Sequence, residues 1–240
     1  FIVGQYQQAN DLMVDALQRF PDSSDLGAIA VELPITEFGD IEKARLIYQS
    51  IKPNTGDAYV AITVTLAYLE RNFEAVIETL HQPEVVEFYA MYPGLLHIER
   101  GQMHQFLGQK EQAVHEFNEA VKLLVPIDMS QDAFNLAFDL SQLAMAKALL
   151  GDDEKAVELA REAMQTLPIE KDPIDGPLIH STAVYVLALA GDREFALKEI
   201  ERLLHTPGGY KPWYLKLDPH WDFLREDEQF SQLIEPNLNK

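Results

Sequence analysis

The chain has 240 residues with 39 acidic and 19 basic side chains, a formal net charge of −20. That balance argues against nucleic acid and against an anionic membrane surface, both of which reward Lys and Arg. There is no cysteine, so disulfides and thiolate metal sites are excluded, and no apolar run reaches the ~20 residues that span a bilayer.

A short phrase recurs along the chain: a turn, a polar residue, and a small residue a few positions on. It starts at Gly4, Gly39, Gly108, Gly151 and Gly191, with Ala9, Ala44, Ala113, Ala156 and Ala196 as the small residues. A degenerate copy reads Arg71-Asn72-Phe73 with Val76, and the steps between copies are 35, 32, 37, 43 and 40 residues. A period in this range marks stacked supersecondary units.

In chain order, residues 4–21 read as a lone second helix with Tyr6, Ala9, Met13 and Ala16 on one face and Pro21 at its end. The chain starts at Phe1, inside this helical pattern, so the sequence reads as a fragment of a longer protein. With its partner helix missing, Ile2, Val3, Tyr6 and Met13 are expected to form an exposed apolar strip. Such strips promote association, which makes a homodimer a candidate state. Residues 25–48 read as a full pair with Pro34 inside the first helix, where proline costs ~3 kcal/mol and predicts a kink or an early stop. Residues 57–80 form the degenerate pair.

The clearest pair spans residues 95–124. Leu96, Met103 and Phe106 give its first helix an apolar side, Gly101 permits close helix approach, and Gly108 closes the turn. Ala113, Phe117, Ala120 and Leu124 follow at helical spacing, and Pro126 ends the pair. Residues 137–168 repeat the plan around Gly151, and residues 177–204 repeat it around Gly191. The connecting loop 168–176, with its Asp-Pro-Ile-Asp-Gly run, is expected to hold little order. After Thr206-Pro207-Gly208-Gly209, the residues Trp213, Trp221, Leu224, Phe230 and Leu233 are placed to close the open end of the last repeat.

These residues resemble the tetratricopeptide repeat (TPR) family. Gly101, Gly108, Ala113, Phe117 and Ala120 match its pattern in one copy, and Ala144, Gly151, Ala156, Ala160, Ala163 and Pro168 in the next. The tail, with Leu217-Asp218-Pro219, Trp221-Asp222, Leu224-Arg225, Asp227 and Phe230, looks like the segment closing TPR regions of bacterial signalling proteins. Those proteins include transcription regulators, nucleotide cyclases and Ser/Thr kinases. The resemblance implies an all-α solenoid of about eleven repeat helices over residues 1–205, with 206–240 as a capping segment on the last repeat. It also implies a cytoplasmic or periplasmic part of a bacterial protein.

In that family the first helix of each pair lines a concave groove. The matching positions here are Thr65 and Tyr68; Ile98, Gln102 and Gln105; Ser141, Gln142 and Met145; Ser181 and Tyr185. This set is uncharged and lacks the Lys, Arg and Asn by which chaperone-binding members clamp a terminal carboxylate. It suits an apolar or amide-rich partner segment.

Catalytic signatures are missing. No phosphate loop, nucleophile elbow or dinucleotide fingerprint occurs, and His97, His104 and His115 do not form a recognised ligand motif. The expectation is a non-catalytic protein-interaction or scaffolding module, binding a protein or peptide, with no metal and no cofactor. A small-ligand sensor with a pocket near Tyr68, His104 and Gln105 is the alternative. An enzyme using the His97 and His104 face ranks last.

Overall fold

The computed structural model describes residues 12, 13, 15, 16, 19, 20, 22–51 and 57–238, and it is all-helical there, with no strand among the described residues. Two compact units divide the chain: residues 1–88 with 211–240, and residues 89–210. The sequence reading treated residues 1–205 as one array, so both the division and the discontinuous first unit are findings of the structure. Of the expected N-terminal strip, Ile2, Val3 and Tyr6 lie outside the described residues, and Met13 is half-buried.

After helical residues at Leu12, Met13, Asp15, Ala16 and Arg19, the first unit holds α1 (Ser24–Phe38), α2 (Ile41–Ser50), α3 (Asp57–Leu69), α4 (Phe73–Leu80) and α5 (Pro83–Phe88). Asp40 caps α2 by accepting the Lys43 N–H at 2.9 Å, and Asn72 caps α4 by accepting the Ala75 N–H at 3.3 Å. Such caps satisfy backbone donors that the first helical turn leaves open. Pro34 does not stop α1: the helix runs on to Phe38 and ends at Gly39, whose φ is +65°. Pro34 itself is buried, so ring packing helps offset the missing backbone bond. Val31, Ile35, Ala44, Ile62, Leu66 and Leu69 form the core, with Tyr48 and Tyr68 at its edge.

The same core takes Tyr214 and Leu217 from the far end of the sequence. They belong to α12 (Pro212–Leu217), which packs on α1 and is followed by a 3-10 stretch, Pro219–Leu224, and by α13 (Glu228–Ile234). Leu215, Trp221, Leu224, Phe230 and Ile234 are buried. The expected partner of the tail is the last repeat; the packing seen for residues 211–238 is with α1 and α3. Residues 206–210 stay with the second unit, while 211–238 complete the first. The reason is local fit. Trp213 lies flat over Gly39, where an added Cβ would come within 2.2 Å of the indole.

Polar groups of α3 and the following turn fix the tail in register. The Tyr68 hydroxyl donates to Asp218 Oδ1, accepts the His220 N–H at 3.1 Å and lies 2.7 Å from His220 Nδ1. Burial alone would raise the Asp218 carboxyl. The His220 ring and the hydrogen bonds from His220 and Tyr68 outweigh burial and hold it below the ordinary carboxylate value. Arg71 forks onto Asp222 with nitrogen–oxygen distances of 2.5 and 2.8 Å. Arg71 also has φ +62°, the conformation glycine takes at the other turns. A non-glycine residue there costs ~1–2 kcal/mol, and the bidentate pair to Asp222 is what the arginine adds in return.

The second unit holds α6 (Pro93–Phe106), α7 (Lys110–Leu124), α8 (Ala133–Leu149), α9 (Asp153–Thr166), α10 (Gly176–Leu189) and α11 (Arg193–Leu204). They pack as successive pairs, α6 with α7, α8 with α9 and α10 with α11; α8 also touches α6, α7 and α10. Gly108, Gly151 and Gly191 sit at φ +72°, +80° and +87°. The residue after each closes a Schellman-type bond: Gln109 to His104, Asp152 to Lys147 and Asp192 to Leu187, each at 2.9 Å. Gly101 permits α6 and α7 to approach closely, since an added Cβ would lie 2.4 Å from the Phe117 ring.

Loop 168–176 is more ordered than its composition indicates. Asp172 Oδ1 accepts the N–H groups of Ile174 and Asp175 at 3.0 and 2.9 Å, and Ile169 is buried beneath it.

Candidate functional site

A concavity of about 310 Å³ opens in the second unit, between the first turn of α6, the last turn of α7 and the start of α8. Local sequence explains each wall. Pro93 sits in the first turn of α6, where its missing N–H costs nothing. Gly94 follows because Leu124 of α7 occupies the place a side chain would take, with Leu124 Cγ 2.8 Å from an added Cβ. Pro126 then ends α7 and turns the chain into the loop that carries Asp128 and Gln131. Asp132 starts α8 by accepting the Asn135 N–H at 3.1 Å. From that start Phe138, Asp139 and Gln142 fall on one face, at the i, i+1, i+4 spacing of a helix.

The floor is apolar, from Leu95, Leu124 and the Phe138 ring, whose centroid lies 5.0 Å from that of Tyr92. The polar groups are Asp128, Gln131, Asp139 and Gln142, and no Lys, Arg or His lines the site. Gln131 Nε2 donates to Asp139 Oδ2 at 2.8 Å, which fixes that carboxylate and leaves Oδ1 for another donor. Asp128 Oδ1 takes the Ser130 hydroxyl at 2.6 Å and its N–H at 2.9 Å. These bonds hold the Asp128 carboxyl below the ordinary carboxylate range. Gln142 is only 6 % exposed, and its amide has no hydrogen-bond partner among the described residues. Its polar atoms are not sealed in the interior, and Gln142 lines the concavity. An amide that opens on the concavity and has no protein partner is available to a ligand that carries a donor or acceptor.

Of the ten groove residues expected from the sequence, Gln142 alone lines this concavity. Ile98, Gln102, Ser141, Met145 and Tyr185 are buried, Thr65, Tyr68 and Ser181 are half-buried, and Gln105 is exposed. The cause is visible in α8, which is buried without interruption from Leu140 to Ala146 because α6, α7, α9 and α10 all pack against it. Ser141 and Met145 are therefore packing residues, and the Ser141 hydroxyl donates to the Phe138 carbonyl at 2.7 Å. Tyr68 is engaged by the tail, and the Ser181 carbonyl accepts the Tyr210 hydroxyl at 2.6 Å.

The histidines have separate local partners. His97 Nδ1 lies 2.5 Å from Glu116 Oε2, and His104 Nδ1 lies 2.5 Å from Gln109 Oε1. Among the described residues no group of three or more His, Asp or Glu side chains is arranged to hold a metal ion. No described helix is long and apolar enough to cross a membrane.

The sequence reading missed Tyr92, Asp128, Gln131, Phe138 and Asp139. The available signal was the 43-residue step between the phrases at Gly108 and Gly151. Much of that excess lies in the loop between α7 and α8 and in the 17-residue length of α8, both of which build the site. No protein-family model matches this chain, and neither does any curated protein.

Proposed function

We propose that this chain is a non-catalytic interaction module, a solenoid of TPR-like helix pairs that belongs to a larger bacterial signalling protein. Its partner segment engages the concavity between two neighbouring pairs, in place of the long open groove expected from the sequence. The observation that carries this reading is the concavity with the nearly buried, unpartnered Gln142 amide in its wall. Its volume, about 310 Å³, is at the lower end for ligand sites of ~300–1,000 Å³. That size suits one side chain and its flanking backbone. The mechanism is recognition: apolar packing on Leu95, Leu124 and Phe138, with orientation set by Gln142 and Asp139.

A small-ligand sensor is the second reading, and the same enclosed volume favours it over a flat protein interface. Selection of peptides from a random display library on the purified chain separates the two. Selected peptides should lose about tenfold or more in affinity for Gln142→Leu and for Phe138→Ala. Peptides indifferent to both substitutions would refute the site. A failure to select any peptide, with a metabolite raising the melting temperature, would favour the sensor.

A further inference from the structure

We infer that the concavity between α6, α7 and α8 receives an alkylammonium group, whether the side chain of a partner's lysine or a free aliphatic amine. This deepens the interaction reading and rests on it. Three observations converge.

The first is the polarity of the wall. Asp128 and Asp139 supply two carboxylates, and no basic side chain lines the site to neutralise them. The internal hydrogen bonds of these acids occupy Oδ1 of Asp128 and Oδ2 of Asp139. One oxygen of each carboxylate is left for an incoming donor. An ammonium carries three N–H donors and no acceptor, which matches a wall whose free charged groups are acceptors.

The second is Gln142. Its side chain is more than nine-tenths buried, lines the concavity and has no partner among the described residues. Its amide oxygen adds a further acceptor to the wall. An anionic ligand would find the amide N–H groups there but would meet both carboxylates as well, and like charges in a half-enclosed site repel strongly. The set therefore selects for positive charge.

The third is the floor. Tyr92, Leu95, Leu124 and Phe138 form an apolar bed beside the acids. A bare metal ion or ammonia would leave that bed wet, whereas an aliphatic stem covers it as its charged head reaches the acceptors. The chain's overall charge of −20 raises the local concentration of cations around the site.

The test uses the whole chain with methyl-labelled Met and Leu, so that Met91, Leu95 and Leu124 report on the concavity by NMR. The probes are n-butylammonium, its neutral isostere n-butanol, an end-capped tripeptide with a central lysine, and the same peptide with that lysine acetylated. Butylammonium should shift the reporter methyls saturably and bind about tenfold or more tightly than butanol. Asp139→Asn and Gln142→Leu should each remove most of that preference while the helical circular dichroism stays at the parent level. Tighter binding by the lysine peptide than by butylammonium assigns the group to a protein partner; equal binding assigns it to a free amine. Butanol or acetyl-lysine binding as well as the charged probes would overturn the inference and leave the interaction site standing. If no probe moved the reporter methyls, both the inference and the site would fall.

Discussion

Trp221→Ala should unfold the first unit at markedly lower denaturant. Trp221 is 3 % exposed, and its ring stacks on Phe230 at a centroid distance of 5.6 Å and an interplanar angle of 23°. Aromatic truncation in a core costs ~3–5 kcal/mol, including the cavity left behind. The tail is a thin layer that can relax, so we place this loss near the lower figure, about 3 kcal/mol. With a urea slope of ~1–3 kcal/mol per molar, the midpoint falls by about 1–3 M. The chain supplies a selective probe. It has two tryptophans, and both lie in residues 211–240, so the emission of Trp213 still reports on the first unit in the variant. Phe223→Ala is the internal control: its side chain is 48 % exposed although it also stacks near Trp221, and its loss should cost less than about 1 kcal/mol. A Trp221→Ala midpoint within ~0.3 M of the parent would refute the reasoning, as would equal shifts in the two variants.

Three further expectations concern glycine positions, the strained arginine and a buried histidine. Gly101→Ala should destabilise by about 1–3 kcal/mol through collision with the Phe117 ring, whereas Gly108→Ala meets no atom within 4 Å and should cost only about 1 kcal/mol of backbone strain. Thermal melts by circular dichroism rank the two. Arg71→Ala should be less stable than Arg71→Gly by about 1 kcal/mol, because both lose the fork onto Asp222 but only glycine relieves the strain at positive φ. Equal stability of the two would show that the turn is not strained. His180 is 4 % exposed, and burial, aided by the nearby Arg202 charge, pushes its pKa below 6.5. The unfolded chain then takes up the proton first as pH falls, so this contribution is full above about 6.5 and is lost below it, down to the depressed value. Melting temperatures measured from pH 7.5 to 5 should fall in the parent and fall less in His180→Phe; parallel curves would exclude the histidine.

The turns were the most legible part of the molecule. Each described copy of the phrase carries a residue at positive φ, including the degenerate one, where Arg71 takes the place of glycine. Backbone sterics make that position demanding, so it leaves a strong local mark in the sequence. Partner choice left a much weaker one. Trp221, Leu224 and Phe230 announce that something must cover them, but their own pattern does not say what. The answer depends on Tyr68 and Arg71, which lie 150 and 151 residues from their partners in the tail. The site was harder still. Gln142 was read as one of ten similar positions, and its distinction comes from a loop whose contribution is spacing and hydrogen-bond geometry, neither of which has a compositional signature.

The discontinuity of the first unit sets the order in which the protein can be made. At ~5–20 residues per second on the ribosome, the partner of Tyr68 is synthesised roughly 8–30 s after Tyr68 itself, since 150 residues separate them. Throughout that interval α1 and α3 lack Tyr214, Leu217 and Trp213. The second unit draws on one unbroken stretch, residues 89–210, and has emerged before the tail appears. Of the two units the first is thus the later to be completed, and for those seconds the apolar surface of α1 and α3 stays open to chaperones or to the same surface on a neighbouring nascent chain.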